Sequence, residues 1–374
     1  MRRRNQKHRA RGWSMGGRER TYRPRARTVR SLEEARSSNA PPSQPLPAPE
    51  MREGGWFLPD PLSQRLHQKS ALGRRTEGGV LLSPEEVMFC HWYRHVPLPN
   101  GTLWFDEQLA DDPSLIQRTI ALDVLRNGGE RVVPVVHLEE RFGPLPNGTW
   151  AIRWERHESW TSHNGFSQVR IQRTHDPLDW TELAAWVENV HDTGHVAELC
   201  VVDDEFDTTI YHLSIAQPSG KHATLASMSP EAIHTLEAAC ESAASVDGGF
   251  FVGHQDDWPL PTVGVPHFSG RFLRIEEHQW ILGREANDGG LYASLMNRGL
   301  LLRPGFKYGC RWRAYEEDID VAHAPWLIQP EHEAPTTWEE VCLAVRLAEG
   351  VNKRWLCARD NVPEHSFLNI KRVG

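Results

Sequence analysis

GFKYGCRWRAYEEDIDVAHAPWLI, residues 305–328, is the stretch whose reading decides the fold. It opens on the turn residues Pro304-Gly305 and runs into an alternating segment. The alternation predicts a strand over 307–315. On such a strand Gly309, Arg311, Arg313 and Tyr315 share one face, and Tyr308, Cys310, Trp312 and Ala314 take the other. The second face is apolar and can pack on a core. The first carries two guanidinium groups and ends in a phenol. An acidic turn, Glu316 to Asp320, then leads to His323 at the start of another apolar run. Two cations, a phenol and an imidazole brought together suit a phosphodiester better than a sugar or a peptide. The same pattern also describes an ordinary edge strand with a solvated basic face.

Downstream, Thr337-Trp338-Glu339-Glu340 has the form of a helix capping box. The helix it starts turns Val341, Ala344, Val345 and Ala348 inward and stops at Gly350, after which Lys353 begins the next strand. Tyr315, His323 and Lys353 therefore all fall at strand ends or in the turns beside them. In an α/β module such ends can gather at one edge of the sheet.

Upstream, the same order of elements occurs once before. Order is expected from near Gly78, with Ser83 as N-cap and Pro84 at the first helical position. A helix over 114–128 follows, then strands near 130–137 and 149–157, a short strand at Val169-Arg170-Ile171 and a helix over 178–190. Leu199 to Val202 is a buried strand, Asp203-Asp204-Glu205-Phe206-Asp207 an acidic turn, and Ile210 to Leu213 the return. Met228 to Ile233 matches Leu82 to Val87, Leu295 to Gly299 matches Leu125 to Gly129, Arg311-Trp312 matches Arg153-Trp154, and Trp338 to Val341 matches Trp180 to Leu183. Shared order among weak matches predicts two copies of one α/β (α+β) module, at 76–217 and 228–374.

The totals set the frame. A chain of 374 residues with 39% hydrophobic content can bury two or three cores. No apolar run of about 18 residues spans it, so no membrane segment is expected. The six cysteines form no CxxC and no Cys/His zinc spacing. Four of them, Cys90, Cys310, Cys342 and Cys357, sit in apolar-patterned segments, which predicts reduced core thiols and a cytoplasmic protein. The net charge of −8 hides an asymmetry, because residues 1–36 alone carry 13 Lys/Arg against 3 Glu. With the Pro/Ser-rich residues 37–50 they read as part of a disordered basic arm covering 1–75. The body is acidic, so a nucleic-acid site must be a local basic patch. Lys307, Arg311, Arg313 and Arg346 belong to one such patch.

Gly305-Phe306-Lys307-Tyr308-Gly309 leading to Tyr315, then His323-Ala324, Arg346-Leu347-Ala348 and Val351-Asn352-Lys353, resemble the tRNA-splicing endonucleases (tRNA-intron lyases). The resemblance is to the archaeal form in which one polypeptide carries a non-catalytic repeat followed by a catalytic one and two chains pair. It implies two modules, each a small N-terminal α+β piece plus a mixed-sheet C-terminal piece. It implies cleavage of precursor tRNA at intron boundaries by attack of the 2′-OH, without metal or cofactor, leaving a 2′,3′-cyclic phosphate and a 5′-OH. Tyr315 would be the base, His323 the acid and Lys353 the charge stabiliser. Because a free tyrosine has a pKa of about 10, the opposite assignment, with His323 as base, stays open. Arg346 would clamp a bulged base by cation–π stacking, with Arg311, Arg313 and Lys307 also on the RNA. Asp203, Asp204 and Asp207 look like the family's acidic loop, which docks on the partner chain. In the first copy the Tyr315 position falls near Trp154 or His157 and the Lys353 position near His195, so that copy would be structural. Two other readings compete: a metal-dependent nuclease using Asp318 and Asp320, and a non-catalytic RNA-binding or assembly subunit.

Overall fold

The computed structural model describes residues 45–284, 290–360 and 365–373. The described chain opens on a four-stranded antiparallel sheet of β1 (Glu50–Arg52), β2 (Gly55–Pro59), β3 (Arg74–Thr76) and β4 (Gly79–Leu82) in the order β1-β2-β4-β3. Helix Leu62–Ser70 lies between β2 and β3, and helix Pro84–Arg94 follows β4. After the short β5 (Pro99–Gly101), helices Thr102–Asp111 and Leu115–Leu125 lead into the main sheet.

Its first half comprises β6 (Arg131–Pro134), β7 (Ala151–Trp154), β8 (Ser167–Arg173), β9 (Val196–Val202) and β10 (Thr208–Ala216). Neighbours are antiparallel except β8 and β9, whose parallel pairing needs the crossover helix Trp180–Asp192. Helix Pro230–Glu241 begins the second half of the chain. A second small sheet follows, of β11 (Ala244–Val246), β12 (Gly249–Gly253), β13 (Val265–His267) and β14 (Gly270–Arg274) in the order β11-β12-β14-β13. Helices Ile275–Ile281 and Leu291–Asn297 then precede β15 (Leu301–Pro304), β16 (Trp312–Tyr315), β17 (Trp326–Pro330), β18 (Arg354–Ala358) and β19 (Phe367–Arg372). Here β17 and β18 are the parallel pair, joined through helix Trp338–Gly350. The two repeats are thus present, with the same strand sequence and the same single parallel pairing.

The halves meet inside one sheet. β10 and β19 pair antiparallel, from Tyr211↔Arg372 to Ala216↔Phe367, giving ten strands in the order β15-β16-β17-β18-β19-β10-β9-β8-β7-β6. Pairing the last strand of each repeat leaves neither with an open edge there. Each small sheet and its helices cover one end of one face: Leu58, Val87 and Leu122 against Ala151 and Val169, and Leu273, Trp280 and Leu295 against Trp312 and Ile328. The other face is shared. There the two crossover helices lay Trp180, Val187, Val341 and Val345 over Leu199, Leu327 and Trp355. Each such side chain, fully buried, stabilises the fold by about 1.5–3 kcal/mol.

The repeats agree in a buried detail. Glu86 and Glu277 are both fully buried at the third position of the helix after the fourth strand. Glu86 accepts from Gly73 N (2.9 Å) and Ser83 N (3.0 Å). Glu277 accepts from Gly264 N (3.0 Å) and Arg274 N (2.9 Å). One carboxylate therefore closes the capping box and ties the helix to its sheet in both copies.

Three expectations are corrected. Order starts well before Gly78: β1, β2 and helix Leu62–Ser70 lie within the supposed arm, with Phe57 and Leu58 buried. A strand of five residues set among Pro, Gly and Arg is too short for periodicity to reveal. Residues 1–44 of that arm lie outside the described residues. Met228 to Ile233 is not the counterpart of Leu82 to Val87; the helix after the fourth strand is Ile275–Ile281. Ser-Pro-Glu starts either helix equally well, so it misleads as a register mark. Arg311-Trp312 is likewise not the counterpart of Arg153-Trp154, because Pro304↔Trp312 matches Pro134↔Ala151 in the ladders.

The cysteines are free, and all but the half-buried Cys342 are buried. Burial pushes the thiols of Cys90, Cys200 and Cys310 up to about 12, which makes them inert packing groups.

Candidate active site

The antiparallel β16–β17 pairing and the parallel β17–β18 pairing place the end of β16 and the starts of β17 and β18 at one edge. Tyr315 ends β16, His323 lies three residues before β17, and Lys353 immediately precedes β18. They meet around Ala324. The Tyr315 ring packs with Leu301 and Ala324 in a small buried cluster. The Lys353 ammonium donates to the Ala324 carbonyl at 2.6 Å. His323 is the residue before, and its ring is exposed. One carbonyl occupies one of the three ammonium protons, so two remain for a ligand.

The strand is shorter than its alternation predicts. Phe306–Tyr308 is a 3-10 turn closed by Gly309 at φ 66°, and only Trp312–Tyr315 is strand. Gly305 N donates to Arg311 O (2.9 Å) and closes the loop. A Cβ on Gly305 would sit 2.4 Å from Cys310 Sγ, so the loop requires glycine there. The fold-back separates the two arginines. Arg311 reaches Glu276 (2.6 Å) and Glu333 (3.6 Å) and lines a cleft of about 500 Å³ between the small sheet's helix and β16. It is neutralised and does not join Tyr315, which corrects the shared face. Arg313 stays. Its Nε donates to Pro304 O (3.1 Å), and its guanidinium lies 5.6 Å from the Tyr308 ring centroid and 5.9 Å from that of Tyr315.

Tyr308 packs against the core beside Cys310, as its place in the alternation implied, but its position among the site's cations was not legible there. The Lys353 ammonium is 5.7 Å from its ring centroid, so Tyr308 stands between two cations at the site. The glycines on either side of Phe306-Lys307-Tyr308 were the available signal. Lys307 is exposed on the same turn, 5.9 Å from the Phe306 ring. Arg346 is exposed on the outer side of helix Trp338–Gly350, with no ion-pair partner among the described residues.

Position for position, the first repeat has other groups. Arg131↔Trp154 corresponds to Leu301↔Tyr315, so Trp154 stands where Tyr315 does. His195 precedes β9 as Lys353 precedes β18, and its Nε2 bonds the Asn164 carbonyl at 2.9 Å. The tie to the preceding loop is kept; the ammonium and the phenol are not.

The acidic turn lies between β9 and β10. Asp203 folds inward, accepting from Glu205 N (2.9 Å) and Asp207 N (2.8 Å). Asp204 bonds His175 Nε2 at 2.9 Å, and the hydrogen bond to this carboxylate raises the imidazole pKa. Asp204, Glu205 and Asp207 face outward. In the loop before His323, Asp318 accepts from Asp320 N (2.9 Å) and both are exposed. No group of three potential metal ligands occurs among the described residues.

Residues 290–361 match the family model described as tRNA intron endonuclease, catalytic C-terminal domain. A protein of Thermoplasma volcanium named tRNA-splicing endonuclease is 32% identical over 287 residues, 76% of this chain and 83% of that protein. The chain belongs to the tRNA-splicing endonuclease family. Proteins of the same name from Natronomonas pharaonis and Methanosarcina acetivorans are 26% and 28% identical over 83% and 82% of this chain, and 94% of each relative. Matches of that length take in both repeats. The chain is therefore an endonuclease of this family, and no helix among the described residues is long and apolar enough to cross a membrane.

Proposed function

We propose that this tRNA-splicing endonuclease cleaves precursor tRNA at intron boundaries without a metal, using the second repeat as its catalytic unit. The observation that carries the reading is the meeting of Tyr315 and Lys353 at Ala324, the residue beside His323. The 2′-OH next to the scissile bond loses its proton to Tyr315, acting as its phenolate, and its oxygen bonds to phosphorus. The bond to the 5′-oxygen breaks, and His323 protonates the departing alkoxide. The products are a 2′,3′-cyclic phosphate and a 5′-OH. The free protons of Lys353 meet the charge that builds on the non-bridging oxygens. Arg313 and Lys307 add phosphate contacts, and Arg346 clamps a displaced base. Arg311, held by two carboxylates, contributes least.

The first repeat, with Trp154 and His195 in place of the phenol and ammonium, is structural. Two copies of the chain pair, with the outward carboxylates of Asp204 and Asp207 docking on the partner while Asp203 shapes the turn. The precursor tRNA is the other partner, and the protein works in the cytoplasm. The test is cleavage of a bulge-containing precursor tRNA in excess EDTA, wild type beside His323→Ala, with the ends of the products analysed. Cleavage that survives chelation, leaves cyclic phosphate and disappears in the variant is expected. Cleavage only with added metal would transfer the chemistry to Asp318 and Asp320. A monomer by light scattering would remove the docking role.

A further inference from the structure

The segment joining the repeats lies against the loop that follows Tyr315. Gly220 N donates to Arg298 O (2.9 Å), Lys221 N to Glu316 O (2.9 Å) and His222 N to Gly299 O (3.0 Å). The contact is too close for any side chain. A Cβ on Gly220 would sit 2.2 Å from the Gly299 carbonyl oxygen, and one on Gly299 would sit 2.6 Å from the Gly220 oxygen. Both residues held this way lead to the site. Gly299 is two residues before Leu301, which pairs with Tyr315 in the ladder and packs on Tyr315 and Ala324. Glu316 directly follows Tyr315, and its carboxylate accepts from Trp326 Nε1 (2.8 Å), the first residue of β17. The loop carrying His323 is therefore pinned at its start by the linker and at its end by Lys353.

Among the described residues the first repeat shows no such contact. At the corresponding place the atoms nearest a Cβ on Gly129 belong to the Arg156 side chain, and Arg131 donates to Arg156 O and Glu158 O. Among the described residues, the clasp occurs in the copy with the phenol and the ammonium.

We infer that the inter-repeat segment at 220–222 is a positioning element of the active site, holding Tyr315 and the His323 loop in register through the Gly220–Gly299 contact. It touches neither substrate nor reacting atoms. This rests on the reading of Tyr315 and His323 given above. In a rate that depends on reacting groups within ångströms of alignment, a forced shift of about 1 Å costs on the order of 100-fold.

The test is Gly220→Ala, compared with Gly253→Ala, a glycine whose added Cβ would meet nothing within 4 Å. Single-turnover cleavage of the bulged precursor tRNA is expected to fall about 10- to 100-fold in Gly220→Ala. Its affinity for RNA carrying a 2′-deoxy block should be unchanged, and Gly253→Ala should match wild type throughout. Backbone hydrogen exchange over 315–324 is expected to rise in Gly220→Ala, and that readout needs no RNA. A wild type that fails to cleave would sink the reaction while leaving the exchange result to judge the clasp. Wild-type exchange and rate in folded Gly220→Ala would overturn the inference. If that variant does not accumulate as folded protein, Lys221→Pro decides, because it deletes the N–H given to Glu316 without crowding Gly299. Unchanged exchange and rate there would overturn it equally.

Discussion

The two repeats share a strand order, a crossover helix and a buried capping glutamate, yet differ at nearly every position where chemistry would occur. Trp154 stands for Tyr315 and His195 for Lys353. Both His195 and Lys353 tie a backbone carbonyl of the loop before the parallel pair. The scaffold role is therefore common to both positions, and the second repeat adds an ammonium to which we assign the chemical role. The converse holds deeper in the sheet. Where the second repeat has Ala314, Trp326 and Leu356 in an apolar core, the first has Arg153, Ser167 and Glu198. Arg153 makes two bonds of 2.7 Å to the buried Glu198, and Ser167 adds a third. Burial alone would push this carboxyl up; the Arg153 charge, with hydrogen bonds from Arg153 and Ser167 and the His212 ring 3.7 Å away, outweighs it and holds the pKa at about 2.

The sharpest break of the comparison is at His323, which should be indispensable. His323→Ala is expected to lower single-turnover cleavage by about 10²–10⁴-fold with the melting temperature unchanged. A retained rate would move the acid elsewhere. Next is Lys353→His, which installs the first repeat's group in the second. It should keep the loop tie and the fold but lose about 10²–10³ in rate, because the permanent charge is gone. Wild-type kinetics would show the ammonium to be only a brace.

On the stability side, Glu198→Ala leaves the largely buried Arg153 without its carboxylate and should cost up to about 3–5 kcal/mol in urea unfolding. Changing both Arg153→Ala and Glu198→Leu, the residues the second repeat has, should recover most of it. A double variant as weak as the single one would show that the apolar solution does not transfer. The lowered carboxyl pKa has a pH signature. Glu198 contributes its full stabilisation above its unfolded value, about 4.3, and loses it as pH falls toward about 2. Acid unfolding of the double variant should therefore be shallower across that window. The smallest effect separates the two arginines. Arg313→Ala should weaken RNA binding about tenfold and Arg311→Ala less, since Glu276 and Glu333 already hold the latter. Equal losses would return Arg311 to the RNA surface.

Much of this was legible from local chemistry. The Thr337 capping box and the Trp-x-Glu starts defined the two crossover helices, observed at Trp338–Gly350 and Trp180–Asp192, the latter capped by Asp179. A buried apolar run and its return after an acidic turn identified β9 and β10, and the motifs between Gly305 and Lys353 carried the resemblance to the family. Helix starts and buried strands depend on neighbours within four or five residues, so sequence alone carries them. Where local signals failed, a longer-range contact had overruled them. The alternation at 307–311 predicts strand, but Gly305, Gly309 and the Gly305–Arg311 hydrogen bond fold it into a turn. That turn moves Arg311 to a cleft and brings Tyr308 beside Lys353.

The amino-acid sequence by itself determined the repeated α/β module, written in residue types at short spacings, and carried in its motifs the resemblance to the family that marks the candidate reacting groups. Only the tertiary structure decided that the two modules close into one sheet through β10 and β19, that Ala324 is the point where the site assembles, and that the linker at Gly220 lies against Gly299. Those contacts join residues tens to more than a hundred positions apart. Their energies depend on packing and hydrogen bonds that no local pattern encodes.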